Sequence, residues 1–174
     1  AADLTVALNV LAGAAGPDRP GWRLELPPPR KSRLADFKVG VMLESPACVQ
    51  DRTLTEQLEV TVDALDRAGV QIDRSARPNI DMERCQHVYM MLLRAALGTS
   101  VSDEEFEAKC KGARSRKPDD RSCRAYMERG ASIYHRDWWR LHNEREAMRI
   151  RWAEFFDDYD LLLCPAAAST AFPH

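Results

Sequence analysis

His135 and His142 stand seven residues apart in a stretch that reads as helix, so they face the same way about 10 Å apart along the axis. That is too far to share one metal ion at ligand bonds of about 2 Å, and no metal site is expected there. Glu144 with Glu146, or Asp157, Asp158 and Asp160, have the chemistry of a paired acid and base. The first pair points to different helix faces, however, and the second group sits in a helix-to-strand turn where Asp is ordinary, so solvated surface is the expected role. Seven basic residues between Lys109 and Arg124 could hold phosphate. Gly112, Pro118, Asp119 and Asp120 interrupt them and no aromatic interleaves, which reads as a solvated basic loop over 109–124. No Gly-x-Ser-x-Gly, Ser-x-x-Lys, P-loop or Gly-x-Gly-x-x-Gly occurs. By motif alone the chain holds no complete active site.

The elements that would position such groups alternate in type. Leu4, Ala7, Leu8 and Leu11 share a helical face before Gly13, but only Ala1 and Ala2 precede Asp3, so this helix has no side-chain cap. A Pro-rich surface connection follows over 14–37. Val39, Val41 and Leu43 alternate as a strand. Thr53 and Glu56 have capping-box spacing before Leu54, Leu58, Val62 and Leu65, Gly69 stops that helix, and Val70 and Ile72 resume a period of two. Strand, helix and strand within about 35 residues predict a right-handed crossover with parallel strands. Asp81 caps a helix with Cys85, Val88, Leu92 and Ala96 inward and Gly98 as its stop. Ser102 with Glu105 opens another, with Val101 stapled onto Phe106. From Ala131 to about Phe156 one helix of about 40 Å carries Tyr134, Trp138, Leu141, Met148, Trp152 and Phe155 as a stripe, broken at Arg145. Trp138, Trp139 and Trp152 could form an aromatic slot, although aromatics at helical spacing are more often core. Leu161 to Leu163 read as a short buried strand. Both ends look severed, which predicts that the chain is part of a larger domain.

Composition narrows the class. Of 174 residues, 45% are hydrophobic and 30% charged, enough for one ordinary core and without the signature of disorder. A net charge of −2 gives no electrostatic reason to expect nucleic acid or an anionic membrane. Five widely spaced cysteines fit neither a zinc site nor a secreted disulfide framework, so a reducing cytoplasm is expected. No apolar run approaches the roughly 20 residues that span a bilayer.

Two stretches carry a resemblance. "DLTVALNVLAGAAGPD" resembles the segment that closes the signature region of the amidase signature family, with an acidic residue opening a helix that leads to a Gly-Pro-Asp loop. "WRLHNEREAMRIRWAEFFDDYDLLLCPAAASTAFPH" is similar to that family's C-terminal helix and its aspartate, apolar strand and proline turn, here Asp160, Leu161 to Leu163 and Pro165. "FKVGVMLE" and "LDRAGVQI" fall where the family has strand, helix and strand. Asn9 stands where Asp is more usual, on a helix flank where little depends on it.

The resemblance implies an α/β fold: the C-terminal portion of an amidase-signature domain spanning 1–174, a mixed sheet flanked by helices and helix-rich in this piece. It also implies hydrolysis of carboxylic amides. One serine attacks the carbonyl, a neutral lysine takes its proton through a second serine, and glycine-loop N–H groups hold the oxyanion. Those three residues would precede Ala1, so no catalytic residue is expected in this chain, and neither metal nor cofactor. The turn after the last strand is the expected substrate wall, through Cys164, Pro165, Ser169 and Phe172. The alternative there is that Cys164 is simply buried and Ser169 caps local backbone. A small-molecule amide is the implied partner, and a homo-oligomer is left open. Two other readings stand beside it: the transamidating subunit of a tRNA-dependent amidotransferase, and a non-catalytic helical interaction module.

Overall fold

The strands fall where the period of two places them. In the computed structural model, which describes residues 2–28 and 30–171, β1 is Lys38–Val41, β2 Gln71–Asp73 and β3 Leu161–Leu163. They form one sheet in the order β2-β1-β3, with Val39 opposite both Ile72 and Leu161. Both pairings are parallel, so where the resemblance implied a mixed sheet, the described strands run one way. The cause is connectivity: β1 and β2 are joined through a helix, and β2 and β3 through a series of helices, long enough for each strand to return in the same direction.

Helix α2, Arg52–Arg67, covers one face. Val39 and Val41 point to that side with Leu43, and they pack with Val62 and Val70 into an almost water-free cluster edged by Leu58, Leu65 and Leu163. Its cap is Asp51 rather than Thr53: the Asp51 carboxylate accepts the Thr53 N–H at 2.7 Å, two residues earlier than the capping-box spacing indicates. Gly40 points to the opposite face, where an added Cβ would lie 2.9 Å from both Phe155 and Ala76. Phe155 belongs to α6, His135–Asp158, so the short sheet is covered from both sides. β3, read as a buried strand, is covered only in part: Leu161 is half exposed, and Leu162 and Leu163 are partly buried.

Other helices build a second core. α3, Met82–Leu97, is capped by Asp81, whose side chain accepts the Arg84 N–H at 3.0 Å. α4, Asp103–Ser115, is capped by Ser102 through the Glu105 N–H, but the Glu105 side chain turns to Lys109 instead of closing the box, and Phe106 stays partly exposed. α5, Cys123–Ala131, packs between α3 and α4, and α3 also packs on α6, His135–Asp158. Val88, Met91, Leu92 and Leu141 are the buried residues of this core, with Tyr126, Ile133, Trp138 and Met148 against it. Met91 is buried where Ala96 was expected, and Ala96 is exposed.

Two expectations change here. The single helix from Ala131 is interrupted, because Ser122 caps α5 and Tyr134 is extended, so the long helix starts at His135 and Tyr134 is exposed instead of joining its stripe. The basic loop over 109–124 shrinks to the turn between α4 and α5, since the Ser102 cap and the Glu105–Lys109 pair carry α4 through Ser115. Arg116 in that turn is not free in solvent. Its guanidinium is held by Glu128 at 2.8 Å and Asp120 at 3.2 Å.

The chain divides into two units, Ala1–Ser32 and Arg33–His174. The first contains α1, Ala2–Leu11, none of whose residues is buried, followed by a short turn at Gly16–Asp18 and a stretch without regular structure. Ala1 lies outside the described residues. All three strands and the remaining helices belong to the second unit.

Candidate functional site at the carboxyl edge of the sheet

Because the three strands are parallel, their carboxyl ends share one edge, and the loops following β1, β2 and β3 gather there. In open parallel sheets that edge is where ligands bind. After β1 the backbone continues pairing through the Met42 N–H on the Leu163 carbonyl at 2.9 Å, then folds into a tight turn in which the Cys48 N–H bonds the Ser45 carbonyl at 3.2 Å. The Ser45 hydroxyl accepts the Ala47 N–H at 3.3 Å and so serves the turn. After β2, Arg77 ties the edge together by donating to the carbonyls of Val41 at 3.0 Å and Ala76 at 2.7 Å.

The loop after β1 and the first turns of α2 line a cleft of about 470 Å³ whose wall includes Glu44, Ser45, Gln50, Arg52, Thr55 and Glu59. A smaller groove beside it is reached by Arg74 and Arg77. Some of the charges are paired: Arg74 bridges Glu59 and, at 2.8 Å, Asp63. At the rim of β2, the Asp73 carboxylate accepts the Ser75 hydroxyl and N–H and the Tyr159 hydroxyl. Those bonds, Ser75 first and then Tyr159, hold it at about 2, while the same contact with Asp73 raises Tyr159. The wall is polar and hydrogen-bonding, suited to orienting a ligand rather than attacking it.

The turn after β3 reaches this edge as well. The Asp51 N–H donates to the Ala168 carbonyl at 2.7 Å, which fixes the turn against the start of α2. Cys164 and Ser169 are exposed and Pro165 is half-buried, whereas Phe172 lies outside the described residues. The linings of the cleft and the groove do not include Cys164, Pro165 or Ser169. Glu44, Thr55, Glu59, Arg74 and Arg77 went unremarked in the sequence. Once β1 and β2 are read as parallel, the position of Glu44, Arg74 and Arg77 just after those strands, and of Thr55 and Glu59 in the first turns of the helix that follows β1, is the signal that would have found them.

The other chemistry-bearing residues are absorbed by structure. His142 stacks on Trp138 with ring centroids 5.1 Å apart, and His135 stacks on Trp138 at 6.2 Å. Trp138 packs on the second core, while Trp139 is half exposed. Glu144 pairs with Arg84, and Glu146 with Arg145 and Arg149, the Arg145 bond lowering the Glu146 carboxyl most. Asp160 accepts the Lys38 N–H at 2.8 Å and so fastens β3 to the start of β1. Among the described residues no helix is long and apolar enough to cross a membrane.

Comparison with known families agrees with the segments singled out at the two ends. The amidase family model matches residues 1–174, the full length of the chain. Comparisons with curated proteins and with solved structures return no match. The chain accordingly belongs to the amidase family, which at the level of the family means hydrolysis of amide bonds.

Proposed function

We propose that the protein forms part of an amidase that cleaves carboxylic amide C–N bonds through a serine acyl-enzyme. The observation that carries this reading is the family match over all 174 residues. In the proposed reaction a serine oxygen adds to the amide carbonyl, its proton passing to a neutral lysine through a second serine. The C–N bond then breaks as the nitrogen takes up that proton, and water cleaves the acyl ester to release the acid and restore the serine. The two serines and the lysine belong to sequence that would precede residue 1, since no local sequence here matches their motifs. This chain supplies substrate wall at the carboxyl edge of the sheet, through the turn that carries Cys164, Pro165 and Ser169.

The test compares the 174-residue chain with the same chain carrying its upstream sequence. Both are treated with a fluorophosphonate serine probe and with a simple aryl amide. Labelling and hydrolysis are expected from the longer protein and neither from the shorter, because nucleophile, base and oxyanion donors act as a unit. Stoichiometric labelling of a serine within residues 1–174 would overturn the assignment of the nucleophile.

A further inference from the structure

We propose that the cleft between α3, α5 and the loop after β1 binds a small monocarboxylate through Arg121, His87 and Tyr126. The proposal stands on these side chains and does not depend on amide hydrolysis. The cleft measures about 530 Å³, room for a carboxylate on an apolar body of several carbons, and Pro46 and Ala47 supply an apolar part of its wall.

Its polar floor is specific. Arg121 Nη1 lies 2.7 Å from His87 Nδ1, and the Tyr126 hydroxyl lies 3.2 Å from the same nitrogen. A guanidinium can only donate, so Nδ1 must present its lone pair and the ring proton sits on Nε2. That lone pair serves Arg121 at the shorter distance, which leaves the Tyr126 proton poorly used. Burial lowers His87 first, the charges of Arg84, Arg121 and Arg129 lower it further, and Glu144 opposes them, so its surroundings favour the neutral ring.

The two arginines of the lining differ in what they bond. Arg84 is neutralised, since its Nε and Nη2 donate to the two oxygens of Glu144 at 3.0 and 2.7 Å. Arg121 is exposed and, among the described residues, bonds a neutral ring and no carboxylate. Four of its five N–H donors remain, beside the Tyr126 hydroxyl and His87 Nε2–H. A planar anion with two acceptor oxygens matches a guanidinium fork. Asp81 and Glu83 also line the cleft and would repel anions of higher charge, which favours a monocarboxylate over phosphate.

The experiment follows histidine ring signals by NMR in the purified protein as sodium benzoate is added at pH 7.5 and constant ionic strength. The His87 signal is identified by its loss in His87→Gln. It is expected to shift saturably with half-saturation near about 1 mM, while His135 and His142, which do not line the cleft, stay put. Arg121→Gln, an exposed change, should weaken binding roughly tenfold and Tyr126→Phe about threefold, and phosphate should bind more weakly than benzoate. Unchanged His135 and His142 signals in Arg121→Gln report an intact fold. No saturable shift of His87, an equal shift in folded Arg121→Gln, or tighter binding of phosphate would each overturn the proposal.

Discussion

The sheet-side core and the helical core of the second unit are built on different terms. Around β1 the buried residues are nearly all valines, and the sheet's own hydrogen bonds set their spacing. Around α5 only a few side chains are fully buried, one buried side chain is the Glu128 carboxylate, and α5 lies against α3 because Gly130 has no side chain. One core depends on what fills it, the other on what is left out and on how charge is matched. The first should therefore be sensitive to loss of volume, the second to added volume or a lost partner.

Gly130→Ala probes the largest difference. An added Cβ would lie 2.4 Å from the Arg94 Cβ and 3.0 Å from the Met91 carbonyl, so α5 must move away from α3. A loss of about 3 kcal/mol is expected, with hydrogen-exchange protection falling first in α3 and α5 and later in β1 and α2. Equal loss in both regions would end the distinction between the cores. Val62→Ala probes the other side: Val62 has no exposed surface, and removing its two methyl carbons should cost about 2 kcal/mol in a denaturant titration, read first in the sheet.

Glu128→Gln should have a smaller effect, about 1.5 kcal/mol, because it keeps the shape but weakens bonds to Arg116 at 2.8 Å and Arg124 at 2.9 Å. Those bonds lower the Glu128 carboxyl, Arg116 first, so their contribution is present above the ordinary glutamate range and fades as pH falls through the lowered value. High salt should reduce the difference between wild type and variant.

The finest probe lies at the rim of the sheet. Asp73 should titrate near 2 by carboxyl NMR, and whatever stability its bonds add is present above the ordinary aspartate range and lost as pH falls toward that value. Ser75→Ala should raise the midpoint more than Tyr159→Phe, following the order of their contributions. The reverse order would make the contact with α6's end the dominant one.

Local signals carried much of the fold. The alternation of Val39, Val41 and Leu43, the helix to Gly69 and the return at Val70 announced the crossover, and the caps at Asp81 and Ser102 open the helices they mark. Each of these depends on neighbours within a few residues, where periodicity and capping act. The candidate site was legible only as far as β3: reading Leu161 to Leu163 as a strand brings Cys164, Pro165 and Ser169 to the carboxyl edge, but not which residues form the cleft there. What escaped is a matter of long-range matching. The break before His135 leaves a weak trace because Tyr134 fits the helical stripe by spacing and leaves it only through its extended backbone.

By itself, then, the sequence determined the period of β1, the caps that open α3 and α4 and the family likeness at both ends, since these are written in adjacent residues. Tertiary structure alone decided that Gly40 admits Phe155, that Arg116 is spent on Glu128, and that Arg121 meets His87 across 34 positions of chain. Such pairings follow from how helices pack once their apolar faces are covered, and residues so distant in sequence carry no periodic mark of the partner they will find.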